Sequence, residues 1–174
     1  GNAILLVGMV TAFYAAIVGV LQRDPKVVLA YSSISQMGVM TLAVGAGLLS
    51  PAAWPLLLVA VSLYALHHGL VKGALFLGVG MHLGASPRQR RGVGAGLLLA
   101  ALAMAGAPWS GGMLVKDLLK NGLQSIDSAG IYAELLPWSA LATSLLMLRF
   151  LFLIGSRQAD TGGPGINAAM LSGW

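Results

Sequence analysis

An ionisable side chain near the centre of an apolar segment is the strongest functional signal in this sequence. Lys72 lies close to the middle of the segment 56–83. A lysine at the centre of a membrane helix costs roughly 2.5–3.5 kcal/mol to insert, and its short stem cannot easily reach water from there. His68 and Tyr64 precede it at four-residue intervals and therefore share its helix face, whereas His67 points about 100° away. Such a row predicts a water-linked proton path, although either histidine could instead be a hydrogen-bonded packing residue.

A second lysine, Lys116, is followed by Asp117 and comes shortly after a segment that is expected to break its helix. Pro108 lacks a backbone N–H, and Gly111 and Gly112 are conformationally permissive. Broken helices at membrane depth are tolerated where protein or water covers the freed backbone groups, and in transporters they line ion sites. We therefore predict a broken helix with Lys116 at membrane depth. In an unbroken helix Lys116 would instead reach the outer interface.

Four polar side chains occur within five residues of another apolar segment. They are Ser32, Ser33, Ser35 and Gln36. Against lipid these groups would be poorly satisfied, so we expect them to face other helices or water. Interhelical hydrogen bonds, worth about 0.6 kcal/mol each on average, are the simpler interpretation.

The composition requires a lipid environment around these residues. Of 174 residues, 57% are hydrophobic and only 9% are charged, whereas about a quarter of a soluble domain is charged. The net charge of +5 is scattered between apolar runs, which argues against nucleic-acid binding. The absence of cysteine excludes disulfides, thiolate metal sites and iron–sulfur ligation. We expect no cofactor and no metal in this chain.

The apolar runs predict an all-α integral membrane protein, because a spanning helix takes roughly 20 apolar residues. The predicted spans form one bundle over residues 1–154, with the break in the fourth span, and 155–174 is expected to be a polar tail or a linker to a further helix. Gly69 and Gly73, four residues apart, predict a close-packed helix face. The five spans are about 2–21, 27–49, 56–83, 93–119 and 135–154.

Charge placement predicts the direction of these spans. Lysine and arginine accumulate in cytoplasmic loops, and threading five spans puts the basic loops 22–26 and 86–91 on one side together with Arg157. We therefore predict that these loops are cytoplasmic and that the chain is a multi-pass protein of the bacterial inner membrane.

Three motifs resemble the antiporter-like membrane subunits shared by respiratory complex I, energy-converting membrane hydrogenases and Mrp-type sodium/proton antiporters. Residues 22–38 resemble Q-x-D-x-K…LAYSSISQ-x-G, residues 68–78 resemble H-x-x-x-K-x-x-LFL-x, and residues 106–117 resemble G-x-P…G-x-x-x-K-D. The resemblance implies one five-helix repeat of an inverted pair, here the second, from a longer protein. It also implies that Lys72 is the central proton carrier, that Lys116 is the lysine of the broken helix at the proton exit, and that His68 is a link in the hydrated chain between helices.

The chain departs from the family pattern at several positions. Tyr64 stands where many members place another histidine, Trp109 replaces a common second proline, Met113 replaces phenylalanine and Val27 replaces arginine. The resemblance still implies partners among other membrane subunits, with a peripheral redox arm where the complex is redox-driven.

Three functions stay open at this stage. The first is proton translocation as a subunit of a complex I-like NADH:quinone oxidoreductase or a related redox-driven pump. The second is sodium/proton exchange within a multisubunit antiporter, although the predicted spans contain no cluster of carboxylates to coordinate sodium. The third is a structural membrane subunit, which a lysine at mid-membrane argues against.

Overall fold

A computed structural model describes residues 1–126 and 130–160, and all the regular structure in that part of the chain is α-helical. The expectation of an all-helical fold is thus confirmed. Asp127 and the segment 161–174, most of the predicted tail, lie outside the described residues. The helices are α1 (Asn2–Val20), α2 (Pro25–Gly47), α3 (Trp54–Gly84), α4 (Pro87–Ala105), α5 (Gly111–Gln124) and α6 (Gly130–Asp160).

The fourth predicted span is broken, as expected, into α4 and α5. α4 ends at Gly106, whose φ of 87° is left-handed and therefore suits a residue without a Cβ. α5 begins after Ser110, whose hydroxyl oxygen accepts a hydrogen bond from the Met113 N–H. Within the described chain α1, α2, α3 and α6 are each long and apolar enough to cross a membrane unaided. Neither α4 nor α5 is among those four helices.

The two basic segments were expected to be loops, and this is wrong for the last two residues of 22–26 and for all but the first residue of 86–91. α2 begins directly after Asp24, whose side chain accepts a hydrogen bond from the Lys26 N–H at 2.8 Å. α4 begins at Pro87, and the Ser86 N–H donates to the Gln89 side-chain oxygen at 3.1 Å. In both helices a capping side chain precedes a proline. Proline suits the first helical position because an N–H at that position would have no hydrogen-bond partner within the helix. The basic residues therefore lie largely in first helical turns.

The last helix is longer than the apolar run that predicted it. α6 begins at Gly130 and continues to Asp160, so the first six residues of the expected polar tail are helical. A helix ends where its hydrogen-bonding pattern stops, and polar residues continue that pattern as readily as apolar ones. Pro137 lies inside the helix, seven residues from its start.

Close packing of small residues joins α1 to α2. A Cβ atom on Gly8 would lie 2.4 Å from the Leu42 nitrogen, and one on Gly38 would lie 2.5 Å from the Ala12 nitrogen. The expectation that Gly69 and Gly73 form such a face is wrong for the described helices, since no atom of another element lies within 4 Å of a Cβ built at either. That face of α3 is open.

Two apolar clusters divide the bundle into levels. The first lies towards the ends far from the basic segments and includes Leu42, Leu57 and Leu136. The second lies towards the basic segments and includes Val79 and Phe150, with others from α2 and α4. In α2, α3 and α6 alike, the buried polar residues other than His82 fall in sequence between the members of these two clusters. The bundle therefore places a polar level between two apolar ones.

Candidate functional site

The polar level is the candidate site, and we call its members the polar layer. It comprises buried side chains from α2, α3 and α6. They are Ser32, Ser35, Gln36, Tyr64, His68, Lys72, Ser139 and Thr143.

Lys72 lies inside the protein, with only 6% of its surface exposed. Its Nζ donates a hydrogen bond to the Leu29 carbonyl at 2.6 Å and another to the Ser32 hydroxyl. The same carbonyl accepts from the Ser32 hydroxyl at 2.9 Å and from the Ser33 hydroxyl at 3.2 Å. α2 therefore holds the amine through oxygen acceptors of a neutral turn. No carboxylate contacts the amine among the described residues, so its charge is stabilised by dipoles alone.

Tyr64 connects α3 to α2 and α6. Its hydroxyl donates to the Gln36 side-chain oxygen, and the Gln36 amide donates to the Thr143 hydroxyl. Thr143 in turn donates to the Ser139 carbonyl at 2.8 Å. These bonds form a continuous chain across three helices, one turn of α3 away from His68 and two turns from Lys72. Hydrogen bonds linked in this way strengthen one another and fix the positions of these polar groups inside the bundle.

The adjacent histidines of α3 point to different parts of the bundle. His68 is 5% exposed, and its Nδ1 makes no hydrogen bond within the described chain. His67 is half-buried, and its Nε2 lies 3.3 Å from the Ala103 carbonyl at the end of α4. Because a carbonyl only accepts, this bond requires the proton on Nε2. The pair thus connects the polar layer with the helix break.

Lys116 closes the helix break from the α5 side. Its Nζ donates to the Ala105 carbonyl at 2.9 Å and reaches the Met104 carbonyl at 3.4 Å. These are carbonyls of the last turn of α4, where the helix lacks further N–H donors and the macrodipole favours a cation. The break therefore creates the binding site of its own lysine.

The remaining predicted residues contribute less directly to these contacts. Ser33 bonds only to its own helix, and the Ser35 hydroxyl donates to the Ala12 carbonyl of α1 at 2.8 Å. Asp117 is exposed and lines an open cavity of about 640 Å³ together with Pro108 and Gly111. Gly112 is buried, and a Cβ there would lie 2.0 Å from the Ala103 carbonyl oxygen. Ser35 therefore joins α2 to α1, Ser33 bonds within α2, and the others shape the break.

Sequence reasoning missed three buried polar residues. Ser139 and Thr143 lie four residues apart on α6, which places them on one face, but isolated hydroxyls in an apolar run carry little signal on their own. His82 lies on α3 near the basic side, and it is 7% exposed with no hydrogen bond to either ring nitrogen within the described chain.

Comparison with known proteins gives consistent matches. A family model described as "NADH:quinone oxidoreductase/Mrp antiporter, TM" matches residues 1–135. The chain is 32% identical to NADH-quinone oxidoreductase subunit L of Mycobacterium tuberculosis, over 99% of this chain and 29% of that protein. It is 34% identical to antiporter subunit mnhA2 of Staphylococcus saprophyticus, over 71% of this chain and 18% of that protein. NADH-ubiquinone oxidoreductase chain 5 of Cryphonectria parasitica is 29% identical over 86% of this chain and 24% of its own length. The chain thus spans less than a third of these curated relatives.

Proposed function

The chain belongs to the NADH:quinone oxidoreductase/Mrp antiporter transmembrane family, and from that premise we propose that it carries protons across the membrane as part of a complex I-like, redox-driven pump. Lys72 is the central carrier in this proposal, and Lys116 is the carrier at the helix break. His68, His67 and Tyr64 connect or flank them through the polar layer.

The burial of Lys72 is the observation that carries this proposal. A lysine held at mid-membrane by a carbonyl and a hydroxyl can exist with or without its proton, since neither partner is an anion that would hold the charge in place. Withdrawal from water also disfavours the charged form of an amine in general. A site of this kind can therefore load and release a proton in response to small electrostatic changes nearby.

The arrangement of His68 and His67 supports a route from Lys72 to Lys116. His68 lies one helical turn from Lys72, and its adjacent neighbour His67 contacts the end of α4. Lys116 binds the next two carbonyls of that same helix end. In this proposal a proton leaving the polar layer reaches Lys116 through water that hydrogen-bonds to the freed backbone groups.

Energy for directed transfer has to come from partner subunits. Moving one charge against the membrane potential costs about 2.3 kcal/mol per 100 mV. We propose that other membrane subunits and a peripheral redox arm supply it, and that this chain holds no cofactor of its own. We further propose that the chain lies in a bacterial inner membrane with residues 22–26 and 86–91 on the cytoplasmic side. The Arg149 side chain, which donates to the Gln22 carbonyl at 3.1 Å, adds a further positive charge near that side.

Replacement of Lys72 tests the proposal directly. In the complete assembly reconstituted in proteoliposomes, we expect Lys72→Ala to abolish proton uptake driven by NADH, followed with a pH-sensitive dye. The matched control is Lys26→Ala, which removes an exposed lysine near the basic side and should leave uptake unchanged. Subunit content is measured in parallel by mass spectrometry. Full uptake in the Lys72 variant would overturn the proposal, and loss of the assembly itself would favour a structural role.

Sodium/proton exchange is the second candidate, because an antiporter subunit is among the relatives. Under that function, proton movement in the same vesicles would require sodium and would not require NADH. The described residues contain no cluster of three or more histidine or acidic side chains suited to a cation. A sodium site would therefore need groups from elsewhere in the assembly.

A further inference from the structure

His82 is the buried ionisable residue that the proposed route does not use. It lies on α3, in the last turn before the basic segment 86–91. Its ring packs against α4, where a Cβ built on Gly94 would lie 3.9 Å from the ring carbon Cε1. Neither ring nitrogen has a hydrogen-bond partner among the described residues.

This burial has a cost that packing alone does not explain. Each unsatisfied buried polar atom costs about 1–3 kcal/mol, and an imidazole has two such atoms. An apolar side chain of similar size would fill the same space without that cost. The ring nitrogens therefore need a partner from outside the described chain, and water from the basic side is the simplest one.

An apolar stretch separates His82 from Lys72. The two residues are ten apart on α3, or about 15 Å along the helix at 1.5 Å per residue. Leu75 and Val79 occupy the same face between them, and both are fully buried in one cluster with Leu97 and Phe150. We call these four residues the apolar plug. Protons cannot cross such a stretch without water, and apolar constrictions gate by losing and regaining it.

We propose that His82 is the relay that receives protons on the basic side of the apolar plug and delivers them to Lys72 when the plug is hydrated. This inference rests on the proposed function of Lys72. The neutral ring accepts a proton from water at one nitrogen and releases the proton held by the other nitrogen towards Lys72. One proton moves, and the ring returns to its neutral form by exchanging tautomers.

Two replacements of His82 distinguish a relay from a packing residue. Glutamine at this position keeps a donor and an acceptor but holds no exchangeable charge. In the proteoliposome assay we expect His82→Gln to reduce driven proton uptake by roughly tenfold or more, with the assembly intact. His82→Ala should lose uptake similarly and regain part of it when imidazole is added on the basic side. The matched control is Gly94→Ala, which touches the same ring at an ordinary contact distance and should retain uptake.

The outcomes separate this inference from the proposal on which it rests. Normal uptake in His82→Gln, together with loss in Lys72→Ala, would overturn the relay and leave the function of Lys72 standing. Normal uptake in both would overturn both. Loss of uptake in His82→Ala that imidazole does not restore would indicate a structural role for the ring and would also overturn the relay.

The plug has its own test in passive proton leak. Val79→Thr keeps the side-chain volume but adds a hydroxyl that binds water. Without any driving reaction, we expect vesicles with this variant to dissipate an imposed pH gradient several-fold faster than the wild type. The double variant with His82→Gln should return to the slow rate, because the relay is then missing from the opened route. An unchanged leak in Val79→Thr would contradict the proposal that the apolar plug and His82 lie one after the other on the same proton route. A fast leak that persists in the double variant would contradict it as well.

Discussion

The two lysines of the candidate site, Lys72 and Lys116, are held in opposite ways. Lys72 sits between unbroken helices and binds a side-chain hydroxyl together with a carbonyl that is already part of α2. Lys116 binds two carbonyls that are available because α4 ends there. The first site therefore combines a side-chain hydroxyl with a helical carbonyl, whereas the second is built from a backbone interruption. Mutations should therefore damage the two sites differently.

The break should be most sensitive at Gly112. A Cβ there would lie 2.0 Å from the Ala103 carbonyl oxygen and 3.2 Å from the His67 Nε2. Since backbone atoms cannot move aside cheaply, we expect Gly112→Ala to separate α4 from α5 and to lower stability by about 3 kcal/mol. A fall in the Tm of the purified assembly and new protease cleavage near the break would show it.

Gly69→Ala is the control for that variant, because a Cβ at Gly69 meets no atom within 4 Å in the described chain. Its Tm should match that of the wild type. Equal Tm values for Gly112→Ala and Gly69→Ala would refute a backbone-built site.

Gly106 should give the next largest effect. Its φ of 87° strains any residue with a Cβ by roughly 1–2 kcal/mol, and the new Cβ would lie 3.3 Å from the Lys116 Nζ. We expect Gly106→Ala to lower the free energy of unfolding by that amount. Gly106→Asn should cost less, because asparagine tolerates the left-handed conformation. Denaturant titration of both variants measures the difference, and an alanine variant as stable as the asparagine variant would contradict it.

Replacement of Ser32, which lies at the Lys72 site, should give the smallest effect. Ser32→Ala removes one of the two acceptors of Lys72 while the Leu29 carbonyl remains, so we expect a change of about 1 kcal/mol in the hydration or protonation balance of Lys72. Driven proton uptake should fall by a few-fold. Ser33→Ala is matched to it, because that hydroxyl bonds only to the Leu29 carbonyl of its own helix. Equal uptake in both variants would remove Ser32 from the site.

The helices themselves could be predicted from the sequence with small errors. Long apolar runs and the Gly–Pro–Gly segment act locally, so the all-helical fold and the break before Lys116 follow from them. The errors lie at element ends, at the basic segments and beyond residue 154, where capping and hydrogen bonding extend a helix that hydropathy alone would end. Among the described helices, Gly69 and Gly73 do not have the packing role that was expected of them. Small residues allow helices to approach closely, but they do not specify which helix packs against them.

The amino-acid sequence alone was enough to predict that this chain crosses a membrane as helices. It also showed which of the predicted helices contain lysine and histidine. Hydropathy and backbone conformation depend on residues that are close together in the chain, so both can be predicted from the sequence. The contacts between side chains of different helices became known only from the folded structure. It joined Gln36 to Thr143 across 107 positions, turned His67 to the break and His68 to the polar layer, and left His82 buried without a partner in the described chain. Hydrogen-bond partners depend on how the helices pack in three dimensions, and the separation of two residues along the chain does not determine how close they lie in the folded protein.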